Sequence, residues 1–287
     1  MPKRRFSHFR RFSLVCGLLI SLMVPGRIVG EPTPAAVSSF NSYVSAVEAI
    51  LGQQHRSQDD FLKLAASPQS EQRLRREELI IEQLTPATGA DLSGALLHHW
   101  RGTAFVPGAK AADFERLLRD FNAYPQHFSP QVLQASVLTR ENDHLQALMR
   151  VRQKHVITVV MDTSYDVTFG RSDAQHGYSA SRSTRISEIE SPGTDRERAL
   201  NSSEEHGFLW RLNTYWSYEE RDGGLYVQIE SISLSRSIPN GLGWALRPYV
   251  KSVPRESLEF TLRSARDAIQ KEASPRHSME RATERTR

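Results

Sequence analysis

The stretch "HGFLWRLNTYWSYEERDGGLYVQIESISLSR", residues 206–236, holds two runs of strand-forming residues joined by Asp222-Gly223-Gly224. An Asp-Gly pair accepts the positive φ of a tight turn at low cost, so the stretch reads as one long β-hairpin. Alternation along the first run puts Phe208, Trp210, Leu212, Thr214, Trp216 and Tyr218 on one face, and Leu209, Arg211, Asn213, Tyr215, Ser217 and Glu219 on the other. The first set is large and mostly apolar, so it needs a cover. One follows in the chain: "PRESLEFTLRSARDAIQKEA", from Pro254, sets Leu258, Leu262, Ala265 and Ile269 on one helical stripe. From Pro254 to Ile269 such a helix is about 24 Å long, enough to lie across several strands. A hairpin covered by a C-terminal amphipathic helix is therefore the organising unit.

The first thirty residues stand apart. Lys3, Arg4, Arg5, Arg10 and Arg11 come first with no acid among them, then the apolar run Leu14–Val24, then Pro25-Gly26. That is the layout of a secretory signal with a cut near Gly30, which implies a periplasmic or secreted protein. The apolar run is short for a permanent span, and the alternative is an N-terminal membrane anchor. The whole chain carries 37 Lys and Arg against 33 Asp and Glu. Six of the basic residues lie in residues 1–30 with no acid, which leaves 31 against 33 beyond them. The sequence pI of about 9.3 thus belongs largely to the leader, and nucleic acid is not indicated as a partner. The one cysteine, Cys16, also lies in the leader, so the mature chain is expected to have no disulfide, no thiol nucleophile and no Cys metal site.

Residues 31–89 read as a mainly helical segment, with Phe40, Tyr43, Val44, Val47, Ile50 and Leu51 at helical spacing. The end of this segment, Glu78 to Glu82, reads equally as a strand. Residues 90–270 form the main domain. It opens with a strand in which Leu96, His98, Trp100 and Gly102 alternate with Leu97, His99 and Arg101. A short helix with Phe114, Leu117, Leu118 and Phe121 inward follows, then a run of strands up to the hairpin. Along residues 156–170, Ile157, Val159, Met161, Tyr165, Val167 and Phe169 share a face opposite Asp162, Ser164, Asp166 and Thr168, as in a half-buried antiparallel strand. Residues 271–287 have mixed charge and little apolar content and read as a disordered polar tail.

Three pieces in this order resemble the START and polyketide cyclase superfamily of helix-grip (SRPBCC) proteins. "WRGTAFVPGAKAADFERLLRDFNAYPQHFSPQVLQASVL" is similar to its first strand, paired helices with a Tyr-Pro corner, and second strand. "GFLWRLNTYWSYEERDGGLYVQIESISLSRSIP" resembles its last hairpin, and "GLGWALRPYVKSVPRESLEFTLRSARDAI" its closing helix. The resemblance covers roughly residues 91–270. It implies an α+β helix-grip fold: a curved antiparallel seven-stranded sheet wrapped around a long C-terminal helix, here with an N-terminal helical appendage. It also implies an elongated apolar cavity between sheet and helix that takes a lipid or other hydrophobic small molecule. Some members catalyse reactions in that cavity.

Catalytic constellations are scarce. His98 and His99 are adjacent on a strand, so they face opposite sides and cannot share a metal. His155, His176 and His206 lack ligand spacing, and no phosphate loop, dinucleotide fingerprint or nucleophile elbow is present. No cofactor or metal is expected. The residues expected to line the cavity are Trp210, Leu212, Trp216, Ile157, Val159, Met161, Tyr165, Tyr226, Arg185, Glu230, Leu258 and Leu262. Arg185, Glu230 and Tyr226 would supply acid–base groups if the protein were a cyclase or aromatase. A third reading is an interaction protein whose N-terminal helix exposes Phe40, Val44, Val47 and Leu51 to a partner.

Overall fold

The computed structural model describes residues 30–57, 60–63, 68–85, 90–92, 94–154, 157–237 and 243–284. The expected leader, apart from Gly30, lies outside the described residues. Two helices come first, α1 (Pro34–Gln54) and α2 (Pro68–Arg75), then strands β1 (Ile80–Gln83), β2 (Ala90–Asp91) and β3 (Ala95–Pro107). Helix α3 (Ala111–Arg119), a 3-10 turn (Phe121–Ala123) and α4 (Tyr124–His127) precede β4 (Val132–Glu141), β5 (His144–Lys154), β6 (Thr158–Arg171) and β7 (His176–Glu190). The short β8 (Arg198–Ala199), the hairpin β9 (Arg211–Arg221) and β10 (Gly224–Arg236), and α5 (Gly243–Glu284) complete the order.

The sheet runs β1-β3-β10-β9-β7-β6-β5-β4, with β2 on β3 and β8 on β7, and every pairing is antiparallel. Seven long strands make the expected sheet, and β1 adds the N-terminal segment to its edge. The hairpin turns at Asp222 and Gly223, with φ of 56° and 77°, the left-handed pair that an Asp-Gly sequence supplies.

One face carries the main core. Trp100, Ala104 and Val106 of β3, Leu225, Val227 and Ile229 of β10, Trp216 and Tyr218 of β9, Tyr165 and Val167 of β6, and Leu145 and Ala147 of β5 are buried there. Phe114, Leu117 and Leu118 of α3 and Leu258, Leu262, Ala265 and Ile269 of α5 cover them. Helix α5 sits directly on β3 because Gly102 has no side chain: a Cβ there would fall 2.7 Å from Leu258 Cδ2 and 2.9 Å from Leu262 Cδ2. Gln153 Nε2 at the end of β5 donates to Ser257 Oγ of the same helical turn at 3.0 Å. In sheet order β3 and β5 are five strands apart, about 24 Å if the sheet were flat. Both reach one turn of α5, so the sheet wraps around the helix. This is the helix-grip architecture.

The N-terminal segment covers the convex face. Ala36, Phe40, Val44 and Leu51 of α1 pack on Leu97, Tyr215, Ile232 and Leu234, while Phe61, Leu62, Leu74 and Ile80 pack on Phe105 and Tyr226. The apolar stripe of α1 is therefore buried on the sheet rather than presented to a partner.

Three readings of the sequence change, and β7 holds a bulge besides. Strand β9 starts at Arg211, so strict alternation does not extend back to Trp210, which joins Tyr215 on the convex face; Phe208 is exposed. Strand β6 starts at Thr158, leaving Ile157 exposed before it. In β7 the register shifts between the pairs Ser164↔Arg185 and Tyr165↔Ser183, so Thr184 is a bulge and the alternation inverts there. Finally, α5 begins before Pro254 and runs on through 271–284, where a disordered tail is expected. Ala, Glu, Lys and Arg dominate that stretch, and they favour helix intrinsically even where no apolar stripe marks it.

Candidate functional site at the polar end of the concave face

The concave face changes character along β3. Toward the end of β3, Ala104 pairs with Val227 and Gly102 with Ile229; toward its start, Trp100 pairs with Ser231 and His98 with Ser233. On β9 the neighbours of those serines are Thr214 and Leu212, and Thr214 in turn pairs with Ser181 of β7. One half of the concave face is thus apolar and covered by α3 and α5. The other half is lined by small hydroxyl side chains around one imidazole and one indole.

His98 and Trp100 are the chemically distinctive groups there. His98 is 2% exposed, and neither ring nitrogen has a hydrogen-bond partner among the described residues; Trp100 is 8% exposed, and its indole N–H has none there either. Burial holds the His98 pKa below its ordinary value, so the ring is neutral, with one nitrogen donating and the other accepting. Two donors and one acceptor are thus sheltered from water and unspent on the protein. Each such group costs about 1–3 kcal/mol when left unpaired. The arrangement can hold an uncharged polar group by hydrogen bonding. At the far end of β7, Glu188 is fully engaged: it accepts from the backbone N–H of His206, Gly207 and Phe208 and from His206 Nδ1 at 2.7–3.1 Å.

The expected cavity residues separate into three groups. Trp216, Tyr165, Leu258 and Leu262 lie together in the apolar half of the concave core. Met161, Val159 and Leu212 continue on that face by alternation, Met161 buried and the other two half-buried. The remaining five are elsewhere. Ile157 is exposed, and Arg185 is exposed with its Nε donating to Ser187 Oγ. Trp210, Tyr226 and Glu230 lie under the N-terminal segment on the convex face. Over the apolar half, α5 rests on Gly102 and the aromatic rings of Phe114, Trp216 and Tyr218 meet edge to face, so that half is filled. His98 and Trp100 were not among the expected cavity residues. Their signal was the alternation with Gly102, which places all three on the face that α5 covers.

Glu230 belongs to a buried polar network. Tyr43 Oη of α1 meets His99 Nδ1 at 3.0 Å, His99 Nε2 meets Glu230 Oε2 at 2.7 Å, and Arg101 Nε donates to Glu230 Oε1 at 2.8 Å. Burial alone would push the Glu230 pKa up, but His99 and Arg101 outweigh it and hold the carboxyl below its ordinary value. Beside it, Tyr215 Oη donates to Glu48 Oε1 at 2.8 Å, Arg182 Nε to the same oxygen at 2.7 Å, and His55 Nε2 meets Ser217 Oγ at 2.8 Å. These contacts fasten α1 to the sheet and face away from α5.

Among the described residues, no three His, Cys, Asp or Glu side chains could hold a metal ion, and no helix is long and apolar enough to cross a membrane.

An antiparallel sheet gripping a C-terminal helix defines a helix-grip protein. Solved structures of similar shape include a STAR-related lipid transfer protein fragment from Xanthomonas axonopodis, 17% identical over 66% of this chain and 98% of that one, with a TM-score of 0.39. A START superfamily protein from Mycobacterium smegmatis is 16% identical over 60% of this chain and 97% of its own, with a TM-score of 0.40. The Zhui aromatase/cyclase of a Streptomyces is 14% identical over 63% and 95%, with a TM-score of 0.41. No family model matches the chain, and no curated protein matches it.

Proposed function

We propose that this is an exported protein that binds an apolar small molecule or lipid carrying an uncharged hydroxyl or carbonyl group, without transforming it. The polar group lies against His98 and Trp100, and the apolar body extends along Met161, Val159 and Leu212. The observation that carries the reading is the pair of buried side chains on one face of β3 whose hydrogen-bonding atoms have no partner among the described residues. Native folds seldom leave such groups unpaired, and a ligand is one way to satisfy them. Binding is favoured over catalysis because acid–base work needs converging titratable groups. Arg185, Glu230 and Tyr226 do not converge on the concave face, and Glu188 is already saturated. Export rests on the basic-then-apolar layout of residues 1–30.

The experiment is native mass spectrometry of the gently purified full chain, followed by displacement of a fluorescent lipid. His98→Leu removes a buried polar group that no described residue satisfies. The variant should melt at or above the wild-type temperature yet lose bound ligand and lipid displacement. An empty wild-type protein that displaces no lipid probe, or a His98→Leu variant that binds as well as wild type, overturns the proposal.

A further inference from the structure

On β6, four strands from β3 in the sheet order, Thr163 is 1% exposed, and its Oγ1 has no hydrogen-bond partner among the described residues. Alternation with Tyr165 and Val167, which lie in the concave core, places Thr163 on the same face as His98 and Trp100. The register brings the two positions to nearly the same level of the sheet. His98 pairs with Ser233, Ser233 pairs with Leu212, and the Leu212 N–H donates to Ser183 Oγ of β7 at 2.8 Å. Ser183 in turn pairs with Tyr165, and Thr163 is the next residue of β6 on that face, opposite Ile186.

The Thr163 hydroxyl is unspent on the fold. The Tyr165 hydroxyl is its neighbour: burial raises the pKa of that phenol, against a weaker lowering by Thr163, so Tyr165 is a neutral O–H. Even a bond between the two hydroxyls uses one O–H only and leaves the other, with spare lone pairs, for a third group. Met161 and Ile186 beside them are buried, so open solvent does not supply that group. A valine has the same shape as threonine and no hydroxyl to desolvate, so packing alone gives no reason for an oxygen here. Two hydrogen-bonding positions therefore face the same space, one on β3 and one on β6. Four strand spacings are about 19 Å along a flat sheet, and the straight line across a curved one is shorter. That is the length of an extended lipid chain rather than of a single polar group.

We propose that the ligand is difunctional: one uncharged oxygen lies against His98 and Trp100, and a second hydroxyl or carbonyl oxygen, at the other end of the apolar body, lies against Thr163. This rests on the ligand reading above and narrows its class to long molecules oxygenated at both ends. A molecule without the second oxygen leaves Thr163 unpaired, and a site built to hydrogen-bond discriminates against such an analogue.

The test is competition for the full chain against a fluorescent lipid. The competitors are straight-chain diols of ten to sixteen carbons with a hydroxyl at each end, each beside the mono-alcohol of the same length. Both series should displace the lipid from wild type. Thr163→Val should lower the diol-to-alcohol affinity ratio about five- to tenfold at the best-fitting length, which is the loss of one neutral hydrogen bond. Thr163→Ser keeps the hydroxyl and should keep the ratio. Thr163→Ala removes the same hydroxyl and reads the same ratio if the valine variant melts early. A ratio unchanged by Thr163→Val at every length, or lost equally in Thr163→Ser, overturns the proposal, while displacement by the alcohols leaves the ligand reading standing. Displacement of the lipid by neither series in wild type overturns both.

Discussion

Glu230 shows how strongly one side chain can be committed to structure. Its carboxylate is buried between His99 and Arg101, and removing it strands a guanidinium and an imidazole under α1. Breaking a buried ion pair from one side typically costs about 3–5 kcal/mol. Glu230→Ala should therefore lose that much in urea unfolding; a loss under about 1 kcal/mol would show that the network relaxes into water. The partnership was only half readable. Glu230 and Arg101 sit directly opposite each other in the β3–β10 register, but the sequence does not show that β10 pairs with β3. His98 and His99 were separable at once, because neighbours on a strand face opposite ways. Which of the two faces would be covered by α5 followed only from Gly102.

At the scale of elements, the stripe on α5 and the gap at Gly102 fit each other. Leu262 is fully buried over that gap. Leu262→Ala should cost about 2–5 kcal/mol through the cavity it leaves. Gly102→Val should also destabilise, by about 1–3 kcal/mol, through the opposite fault of overpacking. The two substitutions touch the same contact, so their double variant should be less destabilised than the sum of the singles. Strict additivity in denaturant unfolding would contradict the contact. The hairpin, the helical stripe and the α3 face were legible because each repeats a local period. The bulge at Thr184 and the late start of β9 were not, because a single inserted or excluded residue leaves no trace in composition. The cover on the convex face was not legible either: the stripe on α1 required some apolar partner, and only the folded sheet shows that its own back supplies it.

For the whole molecule, half-buried His55 and the buried His98 and Glu230 give stability the same slope with pH. Burial lowers the His55 pKa to about 4, against the weaker raising effect of Glu230, so folded His55 stays neutral where the unfolded chain takes up a proton. That contribution is intact above the ordinary histidine range and falls away as pH drops from about 6.5 toward 4. Glu230, held low in the fold, adds a loss that sets in as pH drops below the ordinary carboxylate range. Stability should decline steadily between pH 7 and pH 4, and His55→Phe should flatten the upper part of that decline. A melting temperature that is level from pH 7 to pH 5 in wild type would contradict the burial of His55.

Helices α1 and α5 close on opposite sides of one sheet, and β1 bonds to β3, which in turn bonds to β10. Neither cover has its seat until β10 has been laid beside β3, across more than a hundred intervening residues. Assembly therefore has to wait for β10 and α5, and contacts spanning such distances form slowly. Under the export proposed above, a chain that stays open until α5 is available could be threaded through a secretion pore before it folds.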